Sequence, residues 1–165
     1  MKQLVLTIVG KDQSGLVESV STAVMDHQGS WLASNLSHLG GYFAGIVQIE
    51  IPDEQITSLK EKLAHIDHVT IEEDHIEVME NAQELNFVIT GNDRPGIVHE
   101  LSSIIKHKGG NIVQFTSSQQ SAPNWGVPLF NAVATIELPA GLNKEAIVEA
   151  LESLASDLIV DIENA

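Results

Sequence analysis

The chain has 165 residues, 43% of them hydrophobic and 19% charged, with 23 acidic against 8 basic side chains and a net charge of −15. That length suits two small domains of about 80 residues better than one, and the apolar share is enough for packed cores and excludes disorder. There is no cysteine, which excludes disulfides, thiolate metal sites and a cysteine nucleophile.

Met1-Lys2-Gln3-Leu4 runs straight into an alternating strand without a signal-peptide core. No apolar run approaches the roughly 20 residues that span a bilayer, so the cytoplasm is the expected location. Leu4–Val9 is short, apolar and β-branched and stops at Gly10, which predicts a first strand. Asp12 is a natural helix N-cap, and apolar residues at 16, 17, 20, 23 and 24 then mark one buried helical face. Gly29 is the expected C-cap. A second strand is predicted over 30–39, a Gly40-Gly41 turn, and a third strand over 43–51 stopped by Pro52. A helix over 53–66 and a strand over 69–78 complete the unit, and Glu80–Glu84 reads as a polar linker.

The same pattern then repeats. At an offset of 81, Leu4, Ile8, Gly10, Asp12, Gly15, Val17, Ser21 and Gly29 fall on Leu85, Ile89, Gly91, Asp93, Gly96, Val98, Ser102 and Gly110. The second copy has a strand over 85–90, an Asp93 cap, Pro95 in the first turn, apolar positions at 97, 98, 101, 104 and 105, and a Gly110 C-cap. Strands follow over 111–118 and 129–138, then a helix over 143–155 and a strand over 158–162. Extra residues Ser121–Gly126 lengthen its hairpin and carry Trp125, a candidate partner contact. Two repeats mean two like domains, 1–80 and 84–165, rather than a solenoid.

The order βαββαβ predicts an α+β fold of two ferredoxin-like units, each with sheet order 4-1-3-2 and its second strand at an edge. Pairing those edges would cover exposed backbone and join the halves into one eight-stranded antiparallel sheet with helices on one face.

Charge narrows function. Nucleic-acid binders cluster Lys and Arg, whereas Arg94 is the only arginine here and seven lysines are scattered. Direct DNA or RNA binding and anionic membrane surfaces are therefore disfavoured. The acidity keeps the chain soluble or complements a basic partner protein.

Gly10-Lys11-Asp12-Gln13-Ser14-Gly15-Leu16-Val17 and Gly91-Asn92-Asp93-Arg94-Pro95-Gly96-Ile97-Val98 resemble the loop of the ACT domain family. The tandem arrangement resembles the glycine cleavage system transcriptional repressors. That resemblance implies a regulatory protein that is not an enzyme, with an amino acid, glycine, as effector. It also implies control of transcription through a protein partner such as a LysR-type activator. Neither follows from composition or spacing. No cofactor is implied, and a homodimer is permitted. A ligand-independent interaction scaffold and an orphan regulatory subunit of a metabolic enzyme are the alternatives.

The physics of the loop agrees with a ligand site. A helix N-terminus presents unpaired N–H groups and partial positive charge to a carboxylate, and Gly15 or Gly96 lets a ligand approach the backbone. Asp12, Asp93, Asn35, Asn92 and Asn111 are acceptors for an amino group. In ACT pairs this loop faces the second strand of the neighbouring half. Two sites are therefore expected: Asp12, Gln13, Ser14, Gly15 and Leu16 with Asn111 and Ile112, and Asn92, Asp93, Arg94, Pro95, Gly96 and Ile97 with Ser30 and Trp31. Gln13-Ser14 against Arg94-Pro95 makes them inequivalent.

Other constellations fall short. The spacing Gly10-x4-Gly15 is that of a phosphate loop, but core residues Leu16-Val17 stand where Lys and Ser or Thr are needed. His65-x-x-His68 followed by Glu72-Glu73-Asp74-His75 reads as solvated surface and no metal site. No nucleophile, base and orienting acid are brought together by sequence.

Overall fold

The structure, a computed structural model, describes residues 1–66, 69–72, 83–121 and 126–163. The chain divides into two compact units, Met1–Val78 and Met79–Ala165, each with its own core. The first contains β1 (Lys2–Lys11), α1 (Leu16–Asp26), β2 (Ser30–Leu39), β3 (Tyr42–Ile51), a 3-10 turn at Asp53–Gln55, α2 (Ile56–Leu63) and β4 (Val69–Glu72). The second repeats it: β5 (Gln83–Asn92), α3 (Ile97–His107), β6 (Asn111–Gln120), β7 (Leu129–Leu138), α4 (Lys144–Glu152) and β8 (Ile159–Glu163).

Every ladder is antiparallel, and the sheet orders are β2-β3-β1-β4 and β6-β7-β5-β8. These are the ferredoxin-like orders expected from βαββαβ, with β2 and β6 at an edge. Each unit holds one four-stranded antiparallel sheet.

Alternation builds the cores. In β1, Leu4, Leu6, Ile8 and Gly10 are buried while their neighbours are half-buried or exposed. Leu4, Leu6, Ile8, Val47, Ile49 and Ile51 form one cluster with Val20, Ala23, Leu59 and Leu63, so α1 and α2 cover that face of the sheet. Burying one such aliphatic side chain contributes about 1.5–3 kcal/mol. In the second unit Phe87, Ile89, Ala134 and Ile136 meet Leu101, Ile105, Ile147 and Leu151 in the same way.

The duplication reaches details of backbone. β2 bulges between Trp31 and Ala33, and β6 bulges between Ile112 and Gln114, the same place at the offset of 81. Both first helices end in a Schellman motif. The Gly29 N–H donates to the Val24 carbonyl and the Gln28 N–H to Met25; the Gly110 N–H donates to Ile105 and the Gly109 N–H to Lys106. The C-caps are therefore His27 and Lys108, two residues before the glycines expected to cap. Gly29 and Gly110 serve packing instead: a Cβ on Gly29 would lie 2.8 Å from a Val24 methyl, and one on Gly110 3.0 Å from Ile105 and Ile136.

Boundaries shift elsewhere. The second helix of the first unit opens with the 3-10 turn and ends at Leu63, and Gln83 and Glu84 lie in β5 rather than in the linker. Residues 73–78 of the expected strand, 80–82 of the linker and Trp125 lie outside the described residues.

Candidate ligand-binding loops

The two loops sit at the same place in their units. Gly40-Gly41 closes the β2–β3 hairpin with φ of 60° and 82°, both in the left-handed region that a two-residue type I′ turn requires. The Gly41 carbonyl accepts from the Asp12 N–H at 3.0 Å, which ties the β1–α1 loop to the hairpin tip. In the second unit the Pro128 carbonyl accepts from the Asp93 N–H at 2.7 Å. The inserted residues therefore lengthen the very hairpin that anchors the second loop.

Asp12 and Asp93 do not cap the helices. The N-caps are Gly15 (φ 87°, ψ 3°) and Gly96 (φ 87°, ψ −3°), neither with a side-chain cap. A left-handed residue at this point lets the chain turn from strand into helix within a few residues, and glycine adopts it without steric cost. Asp12 and Asp93 lie three residues upstream, beyond reach of the first turn, and their carboxylates serve other partners. Asp12 Oδ2 faces His38 Nε2 at 3.6 Å, an ion pair when the imidazole is protonated. Asp93 Oδ2 accepts from Gln119 Nε2 at 2.6 Å.

The first loop opens on a cavity of about 330 Å³ lined by Asp12, Gln13, Gly15, Leu16, Val17, Glu18 and Phe43. The N–H groups of Leu16, Val17 and Glu18 belong to the first turn of α1, where no intrahelical acceptor exists. The same cavity therefore offers donors for a carboxylate, two acidic side chains for an ammonium group, and the apolar walls of Leu16, Val17 and Phe43. Ser14 is exposed in the loop and does not line the cavity.

In the second loop, side chains bond to one another within the unit. Arg94 donates to both oxygens of Glu100, Nη1 to Oε1 at 2.9 Å and Nη2 to Oε2 at 2.6 Å. Such a fork is the strong geometry for a guanidinium and a carboxylate. It holds the Glu100 carboxyl below the usual carboxylate range and raises the Arg94 guanidinium above its ordinary value. The Asn92 N–H donates to Asp157 Oδ2 at 2.7 Å. The Arg94 guanidinium, the Asn92 backbone N–H and the Asp93 carboxylate thus bond within the unit. Pro95, Gly96 and Ile97 complete this turn.

Ser30 and Trp31 begin β2 opposite Glu50 and Ile49, and Asn111 and Ile112 begin β6 opposite Glu137 and Ile136. Lys11 pairs with Tyr42 at the other end of the first sheet, so a loop and the start of its own unit's second strand lie at opposite ends. Asn111 Nδ2 donates to Glu137 Oε2 at 3.3 Å. Asn35 lines a separate cavity of about 300 Å³ with Val5, Ala33, Ser34, Ile46 and Gln48. Sequence reasoning missed Glu18, Phe43, His38 and Gln119. The last two were legible as the hairpin positions 38 and 119, related by the repeat.

Of the His65–His75 residues read as solvated surface, His65 and the backbone of Glu72 are described; His65 Nδ1 lies 2.8 Å from the Glu61 carbonyl oxygen. No described group of three or more His, Asp or Glu residues is arranged to hold a metal ion. No described helix is long and apolar enough to cross a membrane.

The family model for the ACT domain matches residues 2–69. Across the whole chain the fold is shared with a solved protein of unknown function from Galdieria sulphuraria, at 24% identity and TM-score 0.84, covering 99% of this chain and 98% of that one. It is shared also with a protein called a glycine cleavage system transcriptional repressor, at 15% identity and TM-score 0.70, again covering 99% and 98%. No curated protein matches the chain. The second unit repeats the order of strands and α-helices of the first. The chain thus carries two units of the same strand and helix order in tandem, the first of them matched by the ACT domain model.

Proposed function

We propose that this protein senses an amino acid through the loop of its first unit and regulates transcription by binding a transcription factor rather than DNA. The observation that carries this reading is the asymmetry of the loops. In the first, carboxylates and helix N–H groups share an open cavity of about 330 Å³. In the second, Arg94 forks onto Glu100, and Asp93, the equivalent of Asp12, accepts a hydrogen bond from Gln119. An amino acid would set its carboxylate against the N–H groups of Leu16 and Val17 and its ammonium against Asp12 and Glu18. Glycine is the effector favoured by resemblance to the repressors, and the cavity admits larger side chains as well.

The net charge of −15 supports a protein partner with basic surface, for which a LysR-type activator is the proposed example. The same charge argues against contact with phosphates. The ligand acts only by differing in affinity for the partner-bound and free states. The loops hold no nucleophile with its base, and the proposed role is not enzymatic.

Isothermal titration with glycine, serine and alanine tests the reading. A ligand of this size binds at best at roughly micromolar and more ordinarily near millimolar. Saturable binding abolished by Asp12→Asn and kept by Asp93→Asn supports it. No binding of any amino acid at millimolar concentration removes the sensor and leaves the scaffold.

A further inference from the structure

The hairpin residue that faces the aspartate of the first loop is titratable, and its duplicate is not. At the offset of 81, His38 corresponds to Gln119 and Asp12 to Asp93. Both hairpin residues stand on the same rung: His38 pairs with Phe43, a wall of the first cavity, and Gln119 pairs with Phe130. Gln119 Nε2 donates to Asp93 Oδ2 at 2.6 Å, whereas His38 Nε2 lies 3.6 Å from Asp12 Oδ2. The first contact is a hydrogen bond. The second is too long for one and holds only as an attraction of opposite charges. An imidazole gains its charge as pH falls through the range of about 8 to 5, and an amide never does.

Around His38, the loop gives Asp12, α1 gives Glu18, β1 ends on Lys11 and β3 begins on Tyr42. Gly10, Phe43 and His38 share one rung; Lys11, Tyr42 and Leu39 form the next. Successive strand residues point to opposite faces, so Lys11 and Tyr42 lie across the sheet from His38. Carboxylates titrate near pH 4 and tyrosine and lysine near 10, which leaves the imidazole as the residue type that changes charge between them. Asp12 lines the cavity and His38 does not. His38 therefore reaches the cavity through Asp12, whose backbone the Gly41 carbonyl already fixes.

We propose that His38 couples amino-acid binding in the first unit to pH: protonated, it draws the Asp12 carboxylate away from the ligand ammonium group, and neutral, it releases Asp12 to the cavity. This rests on the amino-acid reading given above. Ligand and proton then oppose one another, and the opposition is reciprocal: acid weakens binding, and binding expels a proton. His38 is a positioning residue that acts through Asp12 and touches no ligand. The second unit is the fixed counterpart, with Asp93 held by an amide that does not titrate.

Isothermal titration of the full chain with glycine and alanine, from about pH 8 down to about 5.5, tests this. The two side chains are 55% and 53% exposed, and an exposed ion pair competes weakly, so wild-type affinity falls about threefold over that range. In His38→Ala nothing competes for Asp12, and affinity stays at the wild-type value of high pH throughout. In His38→Gln it stays low throughout. At about pH 6.5, titrations in two buffers of different ionisation heat show proton release on binding by wild type and none by His38→Ala. The proton release is read on wild type itself, so it decides even where a variant fails to fold. Binding that neither changes with pH nor releases a proton overturns the proposal and leaves the amino-acid reading standing. So does a pH dependence that folded His38→Ala retains. No binding at any pH overturns both.

Discussion

The Asp93 carboxylate accepts a 2.6 Å hydrogen bond from the Gln119 amide, and at the equivalent place in the first unit Asp12 faces His38 across 3.6 Å. The two pairs sit on equivalent hairpins and loops of the two units, so one substitution decides whether the aspartate is held. A neutral amide donor holds it at every pH, whereas the imidazole pairs as an ion only when protonated. His38→Gln should therefore fasten Asp12 as Asp93 is fastened and withdraw it from a ligand ammonium group. A competing hydrogen bond of about 1 kcal/mol lowers amino-acid affinity about fivefold. Gln119→His should leave that affinity unchanged. Titration calorimetry on both variants measures this, and equal affinity in wild type and His38→Gln would remove Asp12 from the binding role.

The Arg94–Glu100 fork predicts a pH dependence of stability. The Arg94 hydrogen bond lowers the folded-state Glu100 carboxyl below its ordinary value. A group lowered in this way stabilises the fold above its unfolded pKa, about 4.3 for Glu, and loses that contribution as pH falls through the folded value. Arg94→Gln should lower the urea midpoint slightly at pH 7. The gap from wild type should close as pH drops below about 4. Both side chains are more than a third exposed, at 36% and 38%, so the effect at pH 7 is small. Urea unfolding at several pH values shows it; a gap that widens in acid would contradict the sign.

Much of this molecule was legible from periodicity. Alternation in β1 and β5 and the period of α1 and α3 gave the βαββαβ order, and Gly40-Gly41 marked its own turn. The offset of 81 carried even the bulges at Leu32 and Val113. The helix starts were misread because an Asp before an apolar run is also a residue that bonds a neighbouring hairpin. Capping preference alone cannot separate an Asp three residues upstream from an αL glycine that makes the turn. The state of the second loop was hidden for another reason. That Arg94 closes onto Glu100, six residues on, depends on the αL turn at Gly96, which no spacing rule specifies.

Gly45 is a position where backbone approach, and not the turn, requires glycine. A Cβ there would lie 2.2 Å from the Asn35 carbonyl oxygen and 2.8 Å from the Leu36 Cα, both backbone atoms of β2. Gly45→Ala must push β2 away from β3 in the ladder where Gly45 pairs with Leu36. Overpacking of this kind costs about 1–3 kcal/mol. The strand displaced also carries His38 and leads into the Gly40-Gly41 turn that anchors Asp12. Thermal unfolding should show the loss, and amino-acid binding should weaken with it.

The helix ends supply an internal control. Both Schellman motifs place one residue in the left-handed region, Gly109 at φ 85° in the second unit and Gln28 at φ 59° in the first. A residue with a Cβ pays about 1–2 kcal/mol to adopt that conformation, and glycine does not. Part of the gain on changing to glycine is offset by the greater freedom of glycine in the unfolded chain. Gln28→Gly should therefore stabilise the first unit by about 0.5–1 kcal/mol. The reverse change, Gly109→Gln, should destabilise the second by a similar amount. Neither residue lines the β1–α1 cavity, so amino-acid affinity should not move. Urea denaturation of the two single variants checks the pair: opposite shifts of like size fit the αL account, whereas a loss in both would mean that the Gln28 side chain makes a contact worth more than the strain it carries.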